Sequence, residues 1–151
     1  MPPAEPATRG ILAEALRSGT AGGVAMIPLA AIFRAEGLRV NEYGRRTLAL
    51  LVGDVGGRSH DVLTLVQHLI ISWLAALPLV LILPRLSGRG ARAWAGVAYG
   101  GLFYLAINSL ALPLAFGDPT PWAMGWSVVY PSLSIHLVYG LVAALTVRAR
   151  V

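Results

Sequence analysis

The side chains best suited to chemistry are polar residues that stand inside long apolar stretches of the chain. His68, Asn108 and His136 each lie in a different one of these stretches. At a helical rise of 1.5 Å per residue, they lie about 10, 12 and 15 Å from the same end of their stretches. Lipid offers no hydrogen-bond partner, so polar residues at this depth face the interior of a helical bundle. The spacing therefore predicts one buried polar layer, which also contains Ser72, Ser132 and Tyr104.

Such a layer allows three interpretations. In the first, hydrogen bonds between helices, each contributing about 1 kcal/mol, hold the bundle in register. In the second, His68 and His136 are the two axial ligands of a haem b iron, and the protein carries electrons within the membrane. In the third, the protein is a proton-linked or small-ligand carrier, because histidine titrates near physiological pH. Proton-coupled carriers usually add a carboxylate within the membrane, and here no Asp or Glu lies deep in an apolar stretch.

The sequence lacks the usual patterns of membrane enzymes. It contains no HExxH, no GxSxG, no set of histidine boxes and no pair of aspartates within an apolar stretch. The absence of cysteine removes thiolate metal ligands and cysteine nucleophiles. We therefore expect a protein that is not an enzyme and has no cofactor, unless the two histidines bind haem b.

The composition is that of a membrane protein. Hydrophobic residues make up 56% of the chain and charged residues 13%, whereas soluble domains have about 25% charged residues. A length of 151 residues suits a single domain. All twelve basic residues are arginines scattered near the ends of the apolar stretches. Because they form no basic patch interleaved with aromatic residues, nucleic-acid binding is not expected.

Four stretches are long enough to cross a bilayer, which requires about 20 apolar residues. The predicted fold class is all-α, a polytopic integral membrane protein with a four-transmembrane-helix bundle that occupies residues 1–151. Residues 1–8, "MPPAEPAT", are expected to form a disordered tail. The spans are predicted at roughly 11–33, 61–83, 93–115 and 126–147.

The first loop between spans is long and is predicted to contain an amphipathic helix. The helix is expected over roughly 41–55, with Asn41 as its N-cap. Its polar side would carry Arg45 and Asp54, and such a helix is expected to lie on the membrane surface. The apolar face would consist of Leu48, Leu51, Val52 and Val55.

Small residues recur at helical spacing in the spans and predict close helix packing. In lipid, small side chains let helix backbones approach one another, and the GxxxG spacing is typical of such contacts. The residues expected at these contacts are Gly19, Gly23, Gly96, Gly100 and Gly140.

Two segments resemble the YagU-like family of small bacterial inner-membrane proteins. They are "GTAGGVAMIP" (19–28) and "HLVYGLVAAL" (136–145), whereas "GLRVNEYGRR" (37–46) has no counterpart in that family. The resemblance implies a multi-pass protein of the bacterial inner membrane without an established activity. Seven arginines flank the spans on the side of both termini and five on the other side, so the termini are expected in the cytoplasm. The role expected overall is an accessory or scaffolding subunit that contacts the lipid bilayer and either a larger membrane protein complex or further copies of itself.

Overall fold

The computed structural model describes residues 6–40, 43–53 and 56–148, and within these ranges the ordered elements are helices. A 3-10 turn at Leu83–Arg85 extends the third helix, and a π-helical segment at Tyr104–Ala111 joins the fourth helix to the fifth. The α-helices are α1 (Pro6–Ala35), α2 (Tyr43–Val52), α3 (Gly57–Ile82), α4 (Arg89–Phe103), α5 (Leu112–Phe116), α6 (Pro121–Met124) and α7 (Trp126–Thr146).

The predicted fold class is confirmed. Within the described residues, four helical stretches are long and apolar enough to cross a membrane, and α2 is the helix of the first loop. The third stretch runs without interruption through α4, the π-helical segment and α5. The four stretches are Gly10–Ala35, Gly57–Arg85, Arg89–Phe116 and Trp126–Thr146.

Two details differ from the sequence-based expectation. Residues 6–8 belong to α1 and not to a tail, because Pro6 opens the helix at the position where the fixed φ and missing N–H of proline are tolerated. Of the apolar face predicted for α2, Leu48 is buried, whereas Leu51 and Val52 are exposed. Tyr43 joins Leu48 on the buried side. Residues 1–5, the predicted N-cap Asn41, and Asp54 and Val55 lie outside the described residues.

Helix α7 is the centre of the bundle. It packs against α1 on one side and against α4 on the other, while α3 packs mainly against α1. Half of its apolar stretch is buried, compared with 28% or less in the other three spans. Small residues such as Ser132, Gly140 and Ala143 are buried along α7, which allows two helices to approach it closely.

Glycines lie where the helix backbones touch. A Cβ atom at Gly100 would overlap the carbonyl oxygen of His136, and one at Gly140 would overlap the carbonyl oxygen of Gly96. The α1–α3 crossing is similar, because a Cβ at Gly19 would lie 2.5 Å from the carbonyl oxygen of Ser72. A methyl group cannot occupy these positions unless the helices separate.

A charged cluster fastens the start of α1 to the end of α7. The guanidinium group of Arg17 donates to the Glu14 carboxylate, at 2.7 Å, and to the main-chain carbonyl oxygen of Thr146. Glu14 also accepts a hydrogen bond from the main-chain N–H of Arg148, at 3.0 Å. A cation at a helix C-terminus interacts favourably with the last carbonyl groups. This cluster explains why two charged residues lie in the first turns of an otherwise apolar span.

The α4–α7 contact predicts different effects for two adjacent glycines. We expect Gly100→Ala to destabilise the bundle by about 1–3 kcal/mol, the usual range for overpacking. We expect Gly101→Ala to be tolerated, because its Cβ would meet only the Leu137 side chain, at an ordinary contact distance of 3.5 Å. The measurement is the free energy of unfolding in detergent micelles, titrated with a denaturing detergent. Equal losses in both variants would contradict the assigned contact.

Candidate functional site: the buried polar layer

The best-defined polar contact inside the bundle joins Asn108 to His136. The side-chain amide nitrogen of Asn108 lies 2.9 Å from Nε2 of His136, and Nδ1 of His136 lies 2.6 Å from the main-chain carbonyl oxygen of Ser132. A carbonyl oxygen only accepts, so Nδ1 carries the proton and Nε2 accepts the amide hydrogen of Asn108. His136 is therefore a neutral imidazole with both ring nitrogens engaged.

The π-helical segment brings further polar groups to this contact. Bonding from residue i to residue i+5 places residues four and five apart on nearly the same side of the helix. Tyr104, Asn108 and Ser109 accordingly share one side, where Tyr104 and Ser109 are fully buried. The rings of Tyr104 and Phe103 pack against the His136 imidazole, with centroids 5.6 and 6.0 Å away.

Two of these buried hydroxyl groups have no partner on another helix. Among the described residues, the Tyr104 and Ser109 hydroxyl groups are buried and interact only with each other, without a well-aligned hydrogen bond. The Thr64 hydroxyl of α3 is also buried and has no hydrogen-bond partner among the described residues. Unpaired buried hydroxyl groups are costly, and Tyr104 and Ser109 lie on the side of the π-helical segment that faces α7.

His68 makes a separate contact, to α1. Its Nε2 atom lies 3.0 Å from the carbonyl oxygen of Gly23, and because a carbonyl oxygen only accepts, Nε2 is the donor. Ser72, one turn further along α3, donates its hydroxyl hydrogen to the main-chain carbonyl oxygen of His68 at 2.7 Å. The carbonyl oxygen of Ser72 in turn accepts a hydrogen bond from the Tyr139 hydroxyl of α7, at 2.6 Å.

The predicted layer thus consists of two hydrogen-bonded groups. One contains Asn108, His136 and Ser132 on the third and fourth spans, with the Tyr104 ring packed against His136, and the other contains His68 and Ser72 on the second span. Helix α7 connects the groups, because His136 belongs to the first and Tyr139, one turn along α7, bonds to the second. No hydrogen bond joins the two histidines directly among the described residues.

The sequence-based reasoning did not assign several further side chains that bond across helices, three of them aromatic. Tyr99 donates to the carbonyl oxygen of Ala75 at 2.5 Å, and the Trp73 indole N–H donates to the Thr20 hydroxyl at 2.8 Å. The third is Tyr139. The signal that could have found them is chemical, because a Tyr or Trp buried among helices needs a partner for its one polar group.

A haem iron bound by His68 and His136 does not fit this packing. Both ring nitrogens of His136 are engaged in hydrogen bonds and Nε2 of His68 donates to α1, so Nδ1 of His68 is the one ring nitrogen of the pair without a hydrogen bond among the described residues. Helix α1 also approaches both neighbours closely: a Cβ at Gly22 would lie 2.9 Å from the Tyr139 ring, and one at Gly23 would lie 3.4 Å from His68 Nε2. A macrocycle would have to displace α1. Within the described ranges, no three His, Asp or Glu side chains converge as a metal site.

Comparison with models of protein families, with curated proteins and with solved structures gave no match to this chain. The resemblance of residues 19–28 and 136–145 to YagU-like proteins therefore stays a prediction.

The Asn108–His136 hydrogen bond can be measured with a double-mutant cycle. We expect Asn108→Ala and His136→Ala to show a coupling free energy of about 1 kcal/mol, as found for hydrogen bonds between membrane helices. The control cycle pairs Asn108→Ala with Ser134→Ala, which is on the other side of α7 and is expected to show no coupling. Equal coupling energies in the two cycles would show that the effect does not come from this hydrogen bond.

Proposed function

We propose that this chain is a non-enzymatic membrane protein that serves as an accessory or scaffolding subunit. The observation that carries the proposal is how the two histidines of the spans are used. His136 is buried and His68 is partly buried, and the ring of each is hydrogen-bonded to a neighbouring helix, which suits a structural role in holding the spans in register.

The carboxylates support the same view. A carrier that couples transport to protons usually has an ionisable carboxylate on the path through the membrane. The carboxylates of the described residues lie toward the ends of the bundle, and Glu14, the one within the first turns of a span, is held by Arg17 and Arg148. The other three are Glu36, Asp61 and Asp118.

The outer surface of the spans suits contact with lipid or with another membrane protein. Large apolar side chains are exposed on each span, for example Leu12, Leu74, Leu102 and Tyr130. A partner subunit could use such a surface through shape and small-residue packing, without any polar site of its own. We infer a multi-pass protein of a bacterial inner membrane, with the lipid bilayer and a larger membrane complex as its surroundings.

The accessory role predicts a complex that survives replacement of the histidines. We expect the protein, extracted at native abundance in mild detergent, to migrate with another membrane polypeptide at a fixed stoichiometry. His68→Gln and His136→Asn are expected to keep that complex, because the role of each imidazole is to hold helices together. The measurement is native electrophoresis with mass spectrometry, beside a reduced-minus-oxidised absorption spectrum of the same sample.

Two outcomes would contradict this role. If the protein is a monomer or a homo-oligomer in every mild detergent, the proposal of an accessory subunit is wrong. A haem α-band that disappears in both histidine variants would instead make the protein an electron carrier. Ser134→Ala serves as the control for handling, because it changes α7 without touching either histidine.

The orientation can be tested with single cysteines, since the natural chain contains none. The arginine distribution, seven against five, favours a cytoplasmic location of both termini. We therefore expect Ser59→Cys, exposed at the start of α3, to react with a membrane-impermeant maleimide in spheroplasts. Ser87→Cys, exposed between α3 and α4, is expected to react only after permeabilisation. The reverse pattern of labelling would place the termini outside.

A further inference from the structure

The end of the bundle opposite the Arg17 cluster contains a cavity of about 340 Å³. It lies where the segment after α1, helix α2, the loop after α5, helix α6 and the first turn of α7 come together. Its volume falls within the range of about 300–1,000 Å³ that is usual for small-molecule sites. The lining residues are Arg39, Tyr43, Arg45, Arg46, Asp118, Pro119, Met124 and Val128.

The lining carries more positive than negative charge. Arg46 forms an ion pair with Asp118, and its guanidinium group also lies 4.3 Å from the ring centroid of Phe116. Arg46 is therefore held in place by a charge and by a ring. Arg39 and Arg45 are exposed and have no ion-pair partner among the described residues. Three guanidinium groups against one carboxylate leave the cavity suited to an anion.

Tyr43 contributes a hydroxyl group to the same wall. Its ring is buried and stacks on Phe116, with centroids 5.5 Å apart. Burial and then the neighbouring Asp118 carboxylate raise the pKa of Tyr43 above its ordinary value. The hydroxyl stays protonated at neutral pH and donates its hydrogen to Asp118, which helps to fix that carboxylate in the cavity wall.

The exposed residues around the cavity are of the types that are typical of the lipid headgroup region. Trp122 and Trp126 are exposed beside it, on α6 and at the start of α7, and Trp is enriched where a membrane meets water. Leu50 and Leu51 at the end of α2 are each 76% exposed. Apolar residues on a surface helix enter the boundary between headgroups and acyl chains. A ligand in this cavity would thus reach it from the bilayer.

We propose that this cavity binds the phosphate group of an anionic glycerophospholipid from the leaflet on the side of α2. Arg39 and Arg45 contact the phosphate, since a guanidinium fork matches phosphate oxygens with two parallel hydrogen bonds. Met124 and Val128 provide an apolar wall for the glycerol and the first acyl carbons. The excess positive charge selects an anionic lipid over a zwitterionic one. This site is independent of the accessory role and of the orientation in the membrane.

The test uses the full chain, purified in detergent and depleted of lipid. It is titrated with short-chain phosphatidylglycerol, with phosphatidylcholine of the same chain length, and with inorganic phosphate, below the critical micelle concentration of each lipid. Binding is followed by tryptophan fluorescence, to which Trp122 and Trp126 contribute beside the cavity, and by the shift in Tm. We expect phosphatidylglycerol to bind in a saturable manner, phosphatidylcholine to bind at least about tenfold more weakly, and phosphate alone to have little effect.

Paired variants separate the site from general surface charge. The double variant Arg39→Gln with Arg45→Gln is expected to weaken phosphatidylglycerol binding about tenfold or more, because it removes the two charge-assisted contacts. The control, Arg58→Gln with Arg89→Gln, removes the same charge from exposed positions outside the cavity and is expected to change affinity less than about twofold. Circular dichroism verifies that each variant keeps its helices.

Three results would overturn the proposal. Equal weakening by the two double variants would mean that net charge, and not this cavity, attracts the lipid. Equal affinity for phosphatidylcholine would remove the anionic selectivity. Saturation by inorganic phosphate with the same affinity as the lipid would make the site one for free phosphate, without a role for the bilayer.

Discussion

The contact between the backbones of α4 and α7 is the constraint on which much of the interior depends. At Gly96, Gly100 and Gly140 the two helices approach so closely that a Cβ atom would overlap main-chain atoms of the partner. Between helices in lipid there is no hydrophobic driving force, so association relies on dispersion and on hydrogen bonds across the interface. Close approach of the two backbones strengthens the dispersion attraction and allows more hydrogen bonds across the interface. It brings Asn108 of the third span within hydrogen-bond distance of His136, which a pair of leucine-rich helices at ordinary separation would not allow.

Helix α1 repeats this arrangement on the other side of α7. Gly22 faces α7 and Gly23 faces α3, so a single turn of α1 touches both neighbours. A glycine also leaves its carbonyl oxygen accessible from the side, and His68 uses the carbonyl oxygen of Gly23 as its acceptor. The buried polar groups of the spans thus depend on glycine contacts, and most of their hydrogen-bonding capacity is used within the bundle. The exceptions in the π-helical segment are the hydroxyl groups of Tyr104 and Ser109, which have no well-aligned hydrogen bond and interact only with each other among the described residues.

Charge is concentrated at the two ends of the bundle, where water is available. At one end, Arg17 and Glu14 join the first turns of α1 to the last turn of α7. At the other end, Arg46 and Asp118 join α2 to the loop after α5 and leave Arg39 and Arg45 at the edge of a cavity. The Arg17–Glu14 pair joins the ends of two helices, and both charged groups bond to residues of the bundle. The Arg46–Asp118 pair leaves Arg39 and Arg45 as cationic groups at the edge of the cavity. This end of the bundle therefore carries positive charge, which the interior lacks.

Composition and periodicity were enough to predict the membrane class, the four spans and a helix in the first loop. The reason is that hydropathy and span length are properties of each segment by itself. The GxxxG spacing also identified glycines that lie at helix crossings. Which histidine meets which helix did not follow, because this depends on the rotation of each helix about its axis. The π-helical segment changes that rotation for Tyr104, Asn108 and Ser109. No residue type in the sequence predicts a π-helical segment at this position. The pairing of Asn108 with His136, the bond from His68 to α1 and the arginine-lined cavity were therefore decided by the tertiary structure, since each joins segments that are distant in the chain and approach only when the helices pack.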